Sequence, residues 1–336
     1  MNIVKKILRN RLLTPTLVLF TVSAVALFFF VRYFMPDIIV ERHGTSTLLW
    51  YSKIAFLSVV GGGIAAIVFA MIKGRQYLKP YVDGFKRFLP LTRLMVSRDY
   101  KSRYKRSVLG ILWSLLSPIM TMLVMTFVFQ NIFRIFEIRY FPVYLITGSL
   151  LFSFFSEATS MAMDSIPSNR GIITKVYVPK YIFPMTKVFS SLVNLVFSMI
   201  ALAVVIIVVR VPINWTLLLI PIPLLYLFVF TLGVSMLLSS LAVFFKDVKY
   251  LYGVFLTALN FLTPIFYPVE ILPEWALPII GLNPLYHYVT YLRSLVLDGV
   301  VPDLWANVVC ISFALFFLFL GTIVFMSKQD KYILHI

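Results

Sequence analysis

Few residues of this sequence stand where side-chain chemistry is usually done. His43, His287 and His335 are isolated from one another and from any pair of acids. A Ser–His–Asp arrangement or a zinc set needs such groups at spacings that bring them together, and none is visible. Cys310 is the single cysteine and sits inside an apolar run. It forms no intramolecular disulfide and founds no metal site. No G-x-x-x-x-G-K-[ST] phosphate loop occurs. Catalysis by this chain is therefore not expected. What remains are charges in apolar surroundings. Glu157 lies within SFFSEATS, and a carboxylate in the middle of a membrane helix costs roughly 3 kcal/mol unless paired or wet. Two readings follow: it faces a polar path or helix interface, or it makes a structural hydrogen bond to a neighbouring helix. Arg293 is the one basic residue between Lys249 and Lys328, in a segment that also holds Glu270, Glu274, Asp298 and Asp303. Pairing with one of these acids would brace the segment. Contact with phosphates of an anionic ligand is the alternative, and the brace is favoured.

The elements that must position these residues follow from composition. The chain has 336 residues, 61% hydrophobic and 13% charged, with a mean hydropathy of +0.95. A soluble domain carries about 25% charged residues. A chain this apolar needs lipid as the solvent for much of its surface. The net charge of +17 would suggest nucleic acid in a soluble protein. Here the basic residues cluster between long apolar runs, so they set membrane orientation instead. Contacts with lipid headgroups or an anionic substrate remain compatible with them.

A membrane-crossing helix needs about 20 apolar residues. The expected spans are Leu13 to Phe34, Ile54 to Ile72, Val108 to Phe133, Val143 to Met163, Val188 to Val209, Leu217 to Phe244, Tyr250 to Phe266 and Trp305 to Met326. The first resembles a signal peptide but is too long for one, and no small-residue cleavage site ends it, so a retained anchor is expected. The Gly61-Gly62-Gly63 run permits either close helix packing or a kink. A further apolar stretch, Val269 to Leu297, is broken by Pro273, Pro278 and Pro284. It reads as a re-entrant or interfacial hairpin, which needs protein or water around its backbone. With the N-terminus inside, 23 of the 30 Lys and Arg residues fall on cytoplasmic segments. Eight crossings then place both termini in the cytoplasm.

The chain thus divides into an N-terminal extension with two spans (1–79), a basic interface segment (80–106) and a six-helix core (107–336). Within the interface segment Tyr81, Phe85, Phe88 and Leu89 share one helical face, with Asp83, Lys86 and Arg87 elsewhere, and Pro90 is expected to end or kink the helix. Such a helix lies on the membrane surface against anionic lipid or offers a docking surface to a cytoplasmic partner.

Longer strings carry more specific information. RDYKSRYKRSVLGILWSLLSPIM begins at Arg98. It is followed in order by GSLLFSFFSEATSMAMDSI, SNRGIITKVYVPKYIFPM, LAVFFKDVKYL and TPIFYPVEILPEWALPIIGLNPLYHYVTYLRSLVLDG. Together they resemble the permease subunits of ABC exporters for bacterial cell-surface polysaccharides, those for O-antigen, capsule and teichoic acid. The resemblance covers roughly Phe85 to the C-terminus, and the two extra N-terminal helices depart from it.

The resemblance implies an all-α polytopic permease in the bacterial cytoplasmic membrane. It implies a homodimer served by two copies of a separate ATP-binding subunit that carries the ATP and Mg, with a lipid-linked polysaccharide or polyol-phosphate polymer as substrate. No cofactor is expected in this chain, nor any binding to nucleic acid. Arg170, Ile172, Ile173, Lys175 and Val176 would form the coupling segment to the ATPase. Apolar residues there recur at roughly helical spacing between Pro167 and Pro179, as in a short helix buried in a partner. Phe85, Phe88, Arg98, Lys101 and Arg103 mark the interface segment. Glu157, Phe154, Phe155, Tyr267, Trp275 and Arg293 are candidates for the path or gate, since sugar C–H faces stack on aromatic rings. Two rivals stand beside this reading: an exporter of the same superfamily for a drug, peptide or lipid, and more remotely a membrane-embedded glycosyltransferase.

Overall fold

The structure, a computed structural model, describes residues 86–332 except 104, 106, 111, 134–137 and 274–275, together with residues 61, 83 and 84. The chain divides into two compact units, Met1–Lys86 and Arg87–Ile336. The two spans expected before residue 73 lie outside the described residues, Gly61 apart, as do Phe85 and Trp275.

Helix α1 covers residues 86–103 and does not end at Pro90. Pro90 is the fifth residue of that range, and the helix runs on through it. Helix α2 is Leu112–Phe127, continued by a π-helical turn, Val128–Phe133. Then come α3, Phe141–Met163, the single-turn α4, Arg170–Ile173, α5, Ile182–Val209, and α6, Pro221–Phe244. The chain goes on through α7, Val248–Leu262, α8, Leu277–Gly281, α9, Pro284–Arg293, and α10, Leu304–Lys328.

Among the described residues five helices are long and apolar enough to cross a bilayer, those built on α2, α3, α5, α6 and α10. The expected span Tyr250 to Phe266 is shorter than the sequence suggests. Helix α7 has 15 residues, about 22 Å at 1.5 Å per residue, against a hydrocarbon thickness of about 30 Å. Pro264 causes the early stop. It disfavours helical backbone at the residue before it, and Thr263 is extended, at φ −90° and ψ 124°. The proline-interrupted stretch behind it breaks into a 3-10 turn at Val269–Ile271, α8, α9 and a π turn at Ser294–Asp298. Pro284 opens α9, where its fixed φ suits a helix start. Asn283 caps that start by accepting from the Leu285 N–H at 3.0 Å.

Helix α3 is the best-buried span and packs on both α5 and α6, with α2 and α9 also against it. The most extensive pairing is α6 with α10. It closes through two glycines: a Cβ at Gly321 would collide with the backbone of Gly233, and one at Gly233 with the backbone at Phe317 and Leu318. Bare backbones can approach this way in lipid, where packing rather than water exclusion drives association. Gly233→Ala is expected to separate α6 from α10 and to destabilise the chain by about 1–3 kcal/mol. Thermal unfolding in detergent would read this as a lower midpoint. An unchanged midpoint would mean that the crossing tolerates a methyl group.

Candidate functional site

Three helices each carry a polar stripe at helical spacing: Ser114, Ser117 and Thr121 on α2, Ser149, Ser153 and Glu157 on α3, and Ser191, Asn194 and Ser198 on α5. Spacings of three and four residues put each stripe on one face. The fold brings the three faces together around a cleft of about 400 Å³, completed by Arg103, Trp113, Pro118, Leu150, Phe154 and Leu195. At the α1 end Arg103 pairs with Glu157. The other Glu157 oxygen accepts from Asn194 Nδ2 at 3.0 Å, and Ser191 Oγ reaches the carboxylate at 3.3 Å. Ser198 Oγ donates to the Ser114 carbonyl at 3.2 Å and ties α5 to α2. The carboxylate that looked costly in sequence is thus both paired and open to the cleft. The side chains of Ser117, Thr121, Ser149 and Ser153 make no hydrogen bond to any described residue.

Arg103 reaches Glu157 because α1 is pinned to α5. Lys187 Nζ donates to Asp99 at 2.6 Å, and Tyr100 stacks on Phe197 with centroids 5.7 Å apart. Thr92 and Met95 are buried, whereas Arg98 and Lys101 point outward and Phe88 is half-buried. Of the other expected path residues, Phe154 lines the cleft. Phe155 instead stacks on Phe230 in the core, with centroids 5.4 Å apart. The Tyr267 hydroxyl donates to the Phe261 carbonyl at 2.6 Å, which closes the turn after α7.

Arg293 is not in the cleft. Only 7% exposed, it donates from Nη1 to the Pro264 carbonyl at 2.7 Å and from Nη2 to the Tyr144 and Ile265 carbonyls at 3.0 and 3.1 Å. Its guanidinium carbon lies 3.3 Å from the Tyr144 ring centroid. No carboxylate pairs with it among the described residues, so the expected acidic partner is replaced by carbonyls and a ring. Gly148 makes the room, since a Cβ there would come within 2.9 Å of Arg293 Nη2.

The segment after α3 has two faces. Ile173, 8% exposed, Val178 and Tyr181 turn into the chain's own core. This differs from the expected grouping of Ile173 with partner-facing anchors. Lys180 donates to the Gln329 carbonyl at 2.5 Å and lies over the Tyr332 ring. Burial pulls its ammonium below the usual lysine range, with Asp330 opposing the shift. Val176 is 55% exposed and Tyr177 90% exposed. Arg170 and Lys175 point outward beside them, with Ile172 half-buried. Asp164, at the end of α3, pairs with Lys249 at the start of α7.

Of the cleft residues, sequence reasoning singled out only Arg103, Glu157 and Phe154. The signal for the others was present: hydroxyl or amide residues at three- and four-residue spacing on three successive apolar helices.

Bilayer-length helices around a partly polar interior define a multi-pass membrane protein of the transporter kind. The ABC-2 type transporter family model matches residues 90–297, more than half of the chain, and the chain belongs to that family. It is 27% identical over 240 residues to the O-antigen export system permease protein RfbA of Myxococcus xanthus, covering 71% of this chain and 92% of that protein. A Klebsiella pneumoniae protein of the same name is 29% identical over 62% of this chain and 80% of its own length. The polysialic acid transport protein KpsM of Escherichia coli is 22% identical over 74% of this chain and 97% of its own length. The resemblance drawn from the strings beyond Arg98 agrees with these matches.

Proposed function

We propose that this chain is the permease subunit of an exporter that moves a lipid-linked polysaccharide or polyol-phosphate polymer outward across the cytoplasmic membrane. The observation that carries this reading is the match, over most of their lengths, to an O-antigen export permease and a polysialic acid transport protein. The permease works as a homodimer, and two copies of a separate ATP-binding subunit supply ATP and Mg. The sequence offers no phosphate loop of its own, which supports a borrowed motor. A second copy covers part of the apolar surface that α2 and α7 leave exposed at Leu123, Val124, Phe127, Val254 and Phe261. The outward face of the coupling segment, with Val176 and Tyr177, docks on the ATPase. The stretch from Val269 to Asp298 forms the outer hairpin, and both termini are cytoplasmic. A cleft lined by hydroxyls suits a glycan better than a hydrophobic drug.

Deleting the gene should remove the polymer from the cell surface and accumulate its lipid-linked form inside, and the intact chain should restore export. Unchanged surface polymer in the deletion strain would refute the reading. In the same cells, a tag after Ile336 should be reachable only after permeabilisation, and one near Gly44 should be reachable from outside. An externally accessible C-terminus would overturn the eight-span topology.

A further inference from the structure

The cleft between α2, α3 and α5 is lined by polar side chains from all three helices. We infer that it holds a neutral sugar or polyol unit of the polymer, as a binding station inside one protomer; this rests on the export reading above. Four features select that ligand. The unbonded hydroxyls of Ser117, Thr121, Ser149 and Ser153 face the cleft and offer donors and acceptors to a polyhydroxylated guest. The Glu157 carboxylate, held by Asn194 and Ser191, has lone pairs left to accept from hydroxyls. Half-exposed Trp113 lines the same cleft and supplies an aromatic ring, a group whose negative quadrupole attracts the positive C–H edges of a sugar. Finally, the Arg103 charge is already matched by Glu157, so the cleft as a whole is neutral. An anionic phosphate would have to displace Glu157 from Arg103 and then face that carboxylate at close range. A bare cation fares no better, because no cluster of three metal-ligating side chains occurs among the described residues. An acyl chain would strand the hydroxyls against hydrocarbon.

The dimensions agree. The polar stripe on α3 runs from Ser149 to Glu157, about 12 Å along the helix. The volume of about 400 Å³ lies within the ~300–1,000 Å³ usual for small-molecule sites. The Arg103–Glu157 pair closes the α1 end of the station.

Photocrosslinking in polymer-producing cells tests this on the full chain. A p-benzoylphenylalanine side chain placed at Ser117 or Ser153 is expected to yield adducts that stain for glycan. The same group at Ile207, exposed near the far end of α5, is expected to yield none. Ser153→Phe, which fills the cleft, should lower export at least about tenfold while the partner ATPase still co-purifies. Cleft adducts that contain phospholipid and no glycan would overturn the inference. So would export that continues with no glycan adduct at either cleft position. Both outcomes leave the export reading standing, because that reading fails only if deletion of the gene leaves surface polymer unchanged.

Discussion

Val176→Asp is expected to abolish export while the permease remains inserted and dimeric. Val176 and Tyr177 stand out of the segment after α3, at 55% and 90% exposure, between outward Arg170 and Lys175 on one side and the buried Val178 on the other. An apolar side chain and an aromatic one, exposed side by side on the connector between α3 and α5, suit a partner pocket better than water. Truncating an anchor in such a pocket typically costs about 1–3 kcal/mol. A carboxylate there is also desolvated without a counter-ion, which costs several kcal/mol more. The ATPase should then dissociate from Val176→Asp, or hydrolyse ATP without moving polymer, and Tyr177→Asp should behave alike. Ile173→Asp is expected to act differently. At 8% exposure the new charge would sit in the permease's own core and lower the yield of folded protein. Co-purification with the ATPase, scored beside the yield of inserted permease, separates the two outcomes. If Val176→Asp and Tyr177→Asp both export normally with the ATPase bound, this segment is not the coupling element. The basic helix α1 would then take its place.

Arg293→Ala should be the most damaging single change in the segment that follows α7. The guanidinium satisfies the carbonyls of Tyr144, Pro264 and Ile265 at once. The Pro264 and Ile265 carbonyls are backbone groups left over where Pro264 stops α7 and the chain turns back, whereas Tyr144 lies in the first turn of α3 and its carbonyl also accepts from the Thr147 hydroxyl. Each carbonyl orphaned in a buried setting costs roughly 1–3 kcal/mol, and the contact with the Tyr144 ring is lost as well. Export should fall sharply, with a lower unfolding midpoint, while ATP binding by the partner is unchanged. Arg293→Lys should rescue only partly, since one ammonium cannot span three acceptors in the plane of a guanidinium. Full export and an unshifted midpoint for Arg293→Ala would show that the brace is dispensable.

The spans of the core were legible because their signal is local. Twenty apolar residues between basic clusters need no knowledge of neighbours, and α2, α3, α5, α6 and α10 lie within a few residues of where hydropathy puts them. Proline chemistry likewise marks the broken stretch from Val269, though the cut at Pro264 was missed because the apolar run continues past it to Phe266. The facing of each side chain was not legible. In water the buried side of a helix is written as apolar periodicity. In lipid both sides are apolar, and that contrast disappears. Sequence alone therefore could not turn Ile173 inward and Val176 outward on one short segment. Nor could it choose carbonyls over carboxylates for Arg293, whose partners come from residues 144, 264 and 265. Glu157 was visible as an anomaly, but its meaning depended on Arg103, Ser191 and Asn194, which lie 34 to 54 residues away in the chain. Three polar stripes, each explicable alone as helix packing, became one cleft only when α2, α3 and α5 met, because the tertiary fold decides which faces share a cavity.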